Sequence, residues 1–156
     1  MPQPGSTAER VSWVLSQCQT IAVVGLSPKP HRASFDVAQY MQSRGYRIIP
    51  INPNATEVLG EKAYASLSEA AEHEQIDLVN CFRNSEDIAP IVDEALRIGA
   101  RALWLQLGIR DDPSLNKAMQ AGLVAVQDRC IKIDHKAVAG GQVQGASLGS
   151  TTRAAG

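Results

Sequence analysis

Apolar residues recur along this chain in two rhythms. Five short runs, at residues 20–25, 46–51, 76–82, 100–106 and 123–127, are dominated by apolar side chains, and the segments between them carry apolar residues at helical spacing. Runs of this length without polar alternation read as strands buried on both faces. Their alternation with helical segments predicts right-handed βαβ units and a parallel sheet. Ahead of the first run, residues 6–19 place Val11, Val14, Leu15 and Cys18 at helical spacing, and Glu9 follows Ser6 by three residues. That is the pattern of a capped, amphipathic leading helix. Gly45, Gly99 and Gly122 each fall between a helical segment and the next strand, where a left-handed residue closes a helix. Helix starts are marked by Ser66 with Glu69, by Asn84 or Ser85 before Glu86 and Asp87, and by Asp112 as N-cap with Pro113 as first helical residue. The fold class is therefore α/β: a doubly wound sheet of about five parallel strands with helices on both faces.

With 156 residues the chain suits a single domain. Its folded part is expected over residues 1–136, and residues 137–156, rich in Gly, Ala, Ser and Thr, are expected to form a flexible low-complexity tail. Fifteen basic and 16 acidic residues leave a formal net charge of -1, which offers no general attraction to nucleic acid or anionic lipid. Positive charge that binds a ligand must be local. The sequence holds neither a membrane-length apolar run nor a basic, apolar leader, so a cytoplasmic protein is expected. Cys18, Cys81 and Cys130 are odd in number and widely spaced, which suits reduced thiols, and His31, His73 and His135 form no helical pair. No metal site is expected.

In a doubly wound sheet, ligands cross the C-terminal tips of the strands at the switch point. After the first strand come Gly25, Leu26, Ser27, Lys29, His31 and Arg32, just before a helix beginning near Ala33 or Ser34. A helix start with two fixed cations suits a group carrying several phosphate charges. Only one glycine of the G-x-G-x-x-G fingerprint is present, so the usual NAD mode is not expected. The second strand leads into Asn52, Pro53 and Asn54, with no acid between Asp36 and Glu57 to hold a ribose 2′-hydroxyl. Turn formation alone would equally account for those residues. After the third strand, Phe82, Arg83 and Asn84 stand beside another helix start; Arg83 could reach a phosphate or pair with Glu86 or Asp87. Trp104 alternates with Leu103 and Leu105 and reads as core. Cys130, between Arg129 and Lys132, is a candidate low-pKa thiol, although a structural role outweighs it.

Taken in order, Val24-Gly25-Leu26-Ser27-Pro28-Lys29-Pro30 with Arg32 and Ser34, Gly45-Tyr46 leading to Pro50-Ile51-Asn52-Pro53, Phe82-Arg83 with Ser85-Glu86, Trp104 to Gly108, and Asp128-Arg129-Cys130 make a recognisable series. The chain resembles the small stand-alone CoA-binding proteins of bacteria, related to the CoA-binding domain of the succinyl-CoA synthetase alpha subunit. The resemblance spans about residues 8 to 136. It implies a Rossmann-like fold with coenzyme A or an acyl-CoA across the first three loops. Carried-over binding positions are Gly25, Ser27, Lys29, Arg32, Asn52, Pro53, Phe82, Arg83 and Asn84. His135 stands in no glycine-rich setting like that of the synthetase's phosphohistidine, so no synthetase reaction is implied.

The expected function is binding of CoA or acyl-CoA without catalysis, and no catalytic residue is assigned. Two alternatives stay open: an enzyme or enzyme subunit acting on acyl-CoA with a partner protein, and an NAD(H)-binding redox sensor. A homodimer or an unidentified protein partner is compatible with the leading helix or the tail.

Overall fold

The structure is a computed structural model that describes residues 4–140. The chain runs through α1 (Thr7–Gln17), β1 (Thr20–Val24), α2 (Ala33–Ser43), β2 (Arg47–Ile51), β3 (Glu57–Val58), β4 (Glu61–Lys62), α3 (Leu67–Ala71), β5 (Leu78–Cys81), α4 (Ile88–Arg97), β6 (Ala102–Leu105), α5 (Asp112–Gln120), β7 (Val124–Val126) and α6 (Ile131–Ala139). The five predicted strands form one parallel sheet in the order β2-β1-β5-β6-β7. The fold is Rossmann-like, a single α/β domain. From β1 the chain crosses to β2 on one side and later returns to β5 on the other. The switch point therefore lies between β1 and β5, and β1 is the central hinge of the topology.

Because successive strand residues point to opposite faces, each strand feeds two cores. Ile21, Val23, Leu78, Trp104 and Val126 pack under α1, α2 and α6, whereas Ala22, Val24, Val79, Cys81 and Leu105 pack under α3, α4 and α5. Trp104 is fully buried, as the alternation predicts, and its indole donates to the carbonyl of Arg129 at 2.8 Å. A polar handle on a buried aromatic is thus satisfied.

Local signals set the boundaries. Ser6 and Glu9 form the reciprocal capping box of α1, and Ser66 caps α3 by accepting from the amide of Glu69. The N-cap of α5 is Asp111, one residue earlier than the expected Asp112, which places Pro113 at the second helical position. The hydroxyl of Ser114 donates to the Asp111 carboxylate and holds it there. The hairpin β3–β4 was not anticipated; its strands are two residues each, too short to show a period. Helix α6 continues to Ala139, three residues past the expected end of the folded part, with Val138 packed on the core. The rest of the expected tail, residues 141–156, lies outside the described residues.

Among the described residues, no helix is long and apolar enough to cross a membrane. No group of three or more potential metal ligands occurs among them either.

Candidate functional site

Gly25 ends β1 with φ +86° and receives the tip of β5 against its open side. A Cβ there would lie 3.1 Å from the carbonyl oxygen of Phe82 and 3.2 Å from Cδ of Arg83. The glycine is thus required twice, for its left-handed backbone and for the close approach of two strand tips at the switch point. Its amide donates to Ile51, and the amide of Phe82 donates to Val24, so three adjacent strands are locked together at this edge.

The loop from Leu26 to Arg32 is held by its own short bonds. The amide of Ser27 donates to the Ser34 hydroxyl at 3.0 Å, the amide of Lys29 donates to the Ser27 hydroxyl at 3.1 Å, and Arg32 closes a turn onto the Lys29 carbonyl. Lys29, His31 and Arg32 are exposed and form no ion pair with any described residue. Arg32 is the N-cap of α2 and contributes no side-chain bond to the helix. First-turn amides are therefore left for an outside acceptor, beside two uncompensated cations.

Leu26 belongs to this loop but not to its surface. Its side chain is fully buried beneath α2. As a site residue it offers backbone alone, and its carbonyl is already taken by the amide of Asn52 at 2.9 Å. Asn52 is similarly committed: its side-chain oxygen accepts from Asn54 at 2.8 Å, and its backbone amide donates to Tyr64. It ties the β2 loop to the β1 loop, which joins the turn reading to a positioning role. Pro53 and Asn54 are exposed at the same edge. No acidic side chain occupies the place where an NAD site carries one.

Across the switch point, Phe82 is half-buried on the α2–α6 core, while Arg83 and Asn84 are exposed. Arg83 lies 3.8 Å from Asp87, one turn away, a loose and solvated pair that leaves the guanidinium free to turn. Asn84 stands at the N-cap position of the short 3₁₀ turn Ser85–Asp87 that precedes α4, without a side-chain capping bond. The structure thus gathers Gly25, Ser27, Lys29, His31, Arg32, Asn52, Pro53, Phe82, Arg83 and Asn84 along one edge of the sheet.

Two features of this edge escaped sequence reading. Ser34, read in the sequence only as a helix start and a member of the family series, is a buried acceptor for the loop. Asn80, in the middle of β5, is 1% exposed, and its side-chain oxygen has no partner among the described residues. A polar residue inside an otherwise apolar strand was the available signal.

Cys130 is the half-buried N-cap of α6. The two cations beside it in sequence are spent elsewhere: Arg129 grips Asp134 with bonds of 2.7 and 2.8 Å, and Lys132 pairs with Asp36 at 2.8 Å. Cys18 and Cys81 are buried, and desolvation pushes each thiol up to about 12.

Comparison with known proteins identifies the family and the fold. Residues 19–136 match the family model described as a CoA binding domain. An uncharacterized protein of Bacillus subtilis, YneT, is 40% identical over 133 residues, covering 85% of this chain and 96% of that protein. A hypothetical protein from Pyrococcus horikoshii superposes with TM-score 0.79 at 34% identity, over 87% of this chain and 94% of that one. The dinucleotide-forming acetyl-coenzyme A synthetase 1 of Ca. Korarchaeum cryptofilum shares the fold, with TM-score 0.65 at 20% identity, over 74% of this chain and 27% of that one.

Proposed function

The chain belongs to the CoA-binding domain family, and from that premise we propose that it binds coenzyme A or an acyl-CoA at the β1/β5 switch point, as a binding module without catalysis of its own. One observation carries the reading. The uncapped start of α2, with Lys29 and Arg32 in no ion pair with any described residue, follows Gly25, against which Arg83 lies from the neighbouring strand tip.

That arrangement fits a ligand with a pyrophosphate and a further phosphate. First-turn amides of α2 and the ordered Ser27 loop take up the pyrophosphate, and Lys29, Arg32 and Arg83 supply the compensating charge. The β2 tip offers Asn52-Pro53-Asn54 rather than an acid, so a phosphorylated ribose meets no repulsion there. Phe82 gives an apolar surface beside it. When bound, the coenzyme supplies a thiol or thioester at the end of a flexible arm; this chain's residues grip the nucleotide end.

Titration calorimetry with CoA, dephospho-CoA, NAD and NADP tests the proposal. CoA should bind tightest, and removing the 3′-phosphate should weaken binding by about tenfold or more, as expected when a charged donor set loses its acceptor. Equal affinity for CoA and dephospho-CoA would count against the phosphate assignment. Tighter binding of NADH than CoA would replace the reading with a nicotinamide sensor, and acetyl-CoA turnover abolished by Cys130→Ala would replace it with an enzyme.

A further inference from the structure

At the opposite edge of the sheet, the C-terminal ends of α1, α2 and α6 meet the starts of β1 and β2 around a cavity of about 620 Å³. An adjoining lobe of about 350 Å³ runs along α1 to Val138. Neither belongs to the strand tips that carry the CoA loops, and both lie within the size range of small-molecule sites.

The walls are fixed. The Tyr46 hydroxyl donates to the carbonyl of Leu15 at 2.7 Å, the Gln19 amide donates to Gly45, and the Ser43 hydroxyl donates to Tyr40 at 2.6 Å. His135 is 8% exposed and stands edge-on to the rings of Tyr40 and Tyr46. Its Nδ1 lies 2.8 Å from the Tyr40 hydroxyl. With Tyr40 donating, the proton sits on Nε2, which no described residue accepts. Burial and the charge of Arg44 both lower the pKa of His135 and so favour the neutral ring.

Two signs of charge line the same space. Arg44 stacks its guanidinium over Tyr40 at 5.3 Å and is exposed towards solvent, so with His135 it makes a donor pair suited to a carboxylate. The C-terminal ends of α1 and α2 line the cavity as well, each equivalent to roughly half a negative charge, with Arg44 itself the C-cap of α2. The carbonyls of Ser16 and Ser43, in the last turns of α1 and α2, receive no hydrogen bond from any described residue. Such carbonyls favour an ammonium group. The Cys18 thiol beside them, pushed up to about 12, adds no charge of its own. The Leu15, Tyr46 and Val138 surfaces of the second lobe are apolar.

We infer that this cavity binds a small zwitterion of the α-amino-acid type: carboxylate to Arg44 and His135, ammonium to the helix-end carbonyls, and an aliphatic side chain in the lobe against Val138. The site is separate from the CoA edge and stands or falls independently of it.

Calorimetry on the full chain with L-leucine, N-acetyl-leucine and leucinamide tests the inference. Leucine should bind saturably at millimolar concentration, and removing either charge should weaken binding by about tenfold or more. Arg44→Gln should cost leucine a similar factor, leave leucinamide unaffected and leave CoA binding unchanged; since Arg44 is exposed, the variant keeps its fold. Absence of leucine binding, equal affinity for all three probes, or an Arg44→Gln variant that binds leucine as before would overturn it.

Discussion

Replacing Gly25 by alanine separates two costs that usually arrive together. A left-handed backbone costs an L-residue about 1–2 kcal/mol, offset by about 0.4–1 kcal/mol because alanine restricts the unfolded chain. Gly45 isolates that term, since its φ is +95° and no atom lies within 4 Å of an added Cβ. Gly45→Ala should therefore cost about 1 kcal/mol. At Gly25 the new methyl meets the Phe82 carbonyl oxygen at 3.1 Å and its carbon at 3.4 Å. Arg83 Cδ, at 3.2 Å, can swing away on an exposed side chain, but the Phe82 backbone is tied to Val24 by a 2.9 Å bond. Overpacking against a fixed neighbour adds about 1–3 kcal/mol, which brings Gly25→Ala to about 2–4 kcal/mol. Urea denaturation of the two variants beside wild type measures the difference, with CoA titration on the folded variant as a second readout. Equal losses in the two variants would refute the contact argument, and a loss below about 0.5 kcal/mol at Gly25 would refute the strain argument as well.

The lowered pKa of His135 makes stability depend on pH in a defined direction. The unfolded chain takes up the proton first, so the stabilising contribution is complete above about pH 6.5 and is lost as pH falls from there through the lower folded value. The urea midpoint should drop between pH 7.5 and pH 5.5 in wild type, and His135→Gln should flatten that segment. Ellman's reagent should titrate one thiol in the native protein and three in denaturant, because Cys18 and Cys81 are buried with raised pKa values whereas Cys130 is half-buried; rapid labelling of Cys81 would contradict the burial. Arg10 donates to the carbonyl of Ala125 on the edge strand β7 at 2.8 Å, and Arg10→Ala should cost about 1–3 kcal/mol by stranding that acceptor. A urea midpoint unchanged from wild type would show that water replaces it freely.

Much of the fold was legible because burial on both faces writes a strand as an apolar run, as in Ile21-Ala22-Val23-Val24. The paired glycine requirement at position 25 was legible only in part: sequence showed the glycine at a strand end, but not that Phe82 presses on it from 57 positions away. Leu26 reads as a loop residue because Gly25 ends the strand before it and Ser27-Pro28-Lys29 follow, yet one apolar side chain can turn inward from a surface loop without leaving a periodic trace. Asn52 carries turn and tether in one amide, and only the partner carbonyl distinguishes the two. The shift from Asp112 to Asp111 follows from adjacent, chemically equivalent caps. The cavity at the N-terminal edge draws on Ser16, Arg44 and His135, residues without shared spacing, so it has no sequence signature.

The buried side chain of Leu26 decides how the loop from Leu26 to Arg32 moves. A loop that inserts a leucine into the core cannot open by fraying; it lets go only when the α2 face of the domain lets go. The amide of Ser27, next in line and bonded to the buried Ser34, should exchange its hydrogen at a rate close to that of global unfolding. Backbone order that elsewhere is spent at the moment of binding, about 1–2 kcal/mol per residue, is here invested during folding. Ordering of this loop is thereby part of the folding of the domain itself.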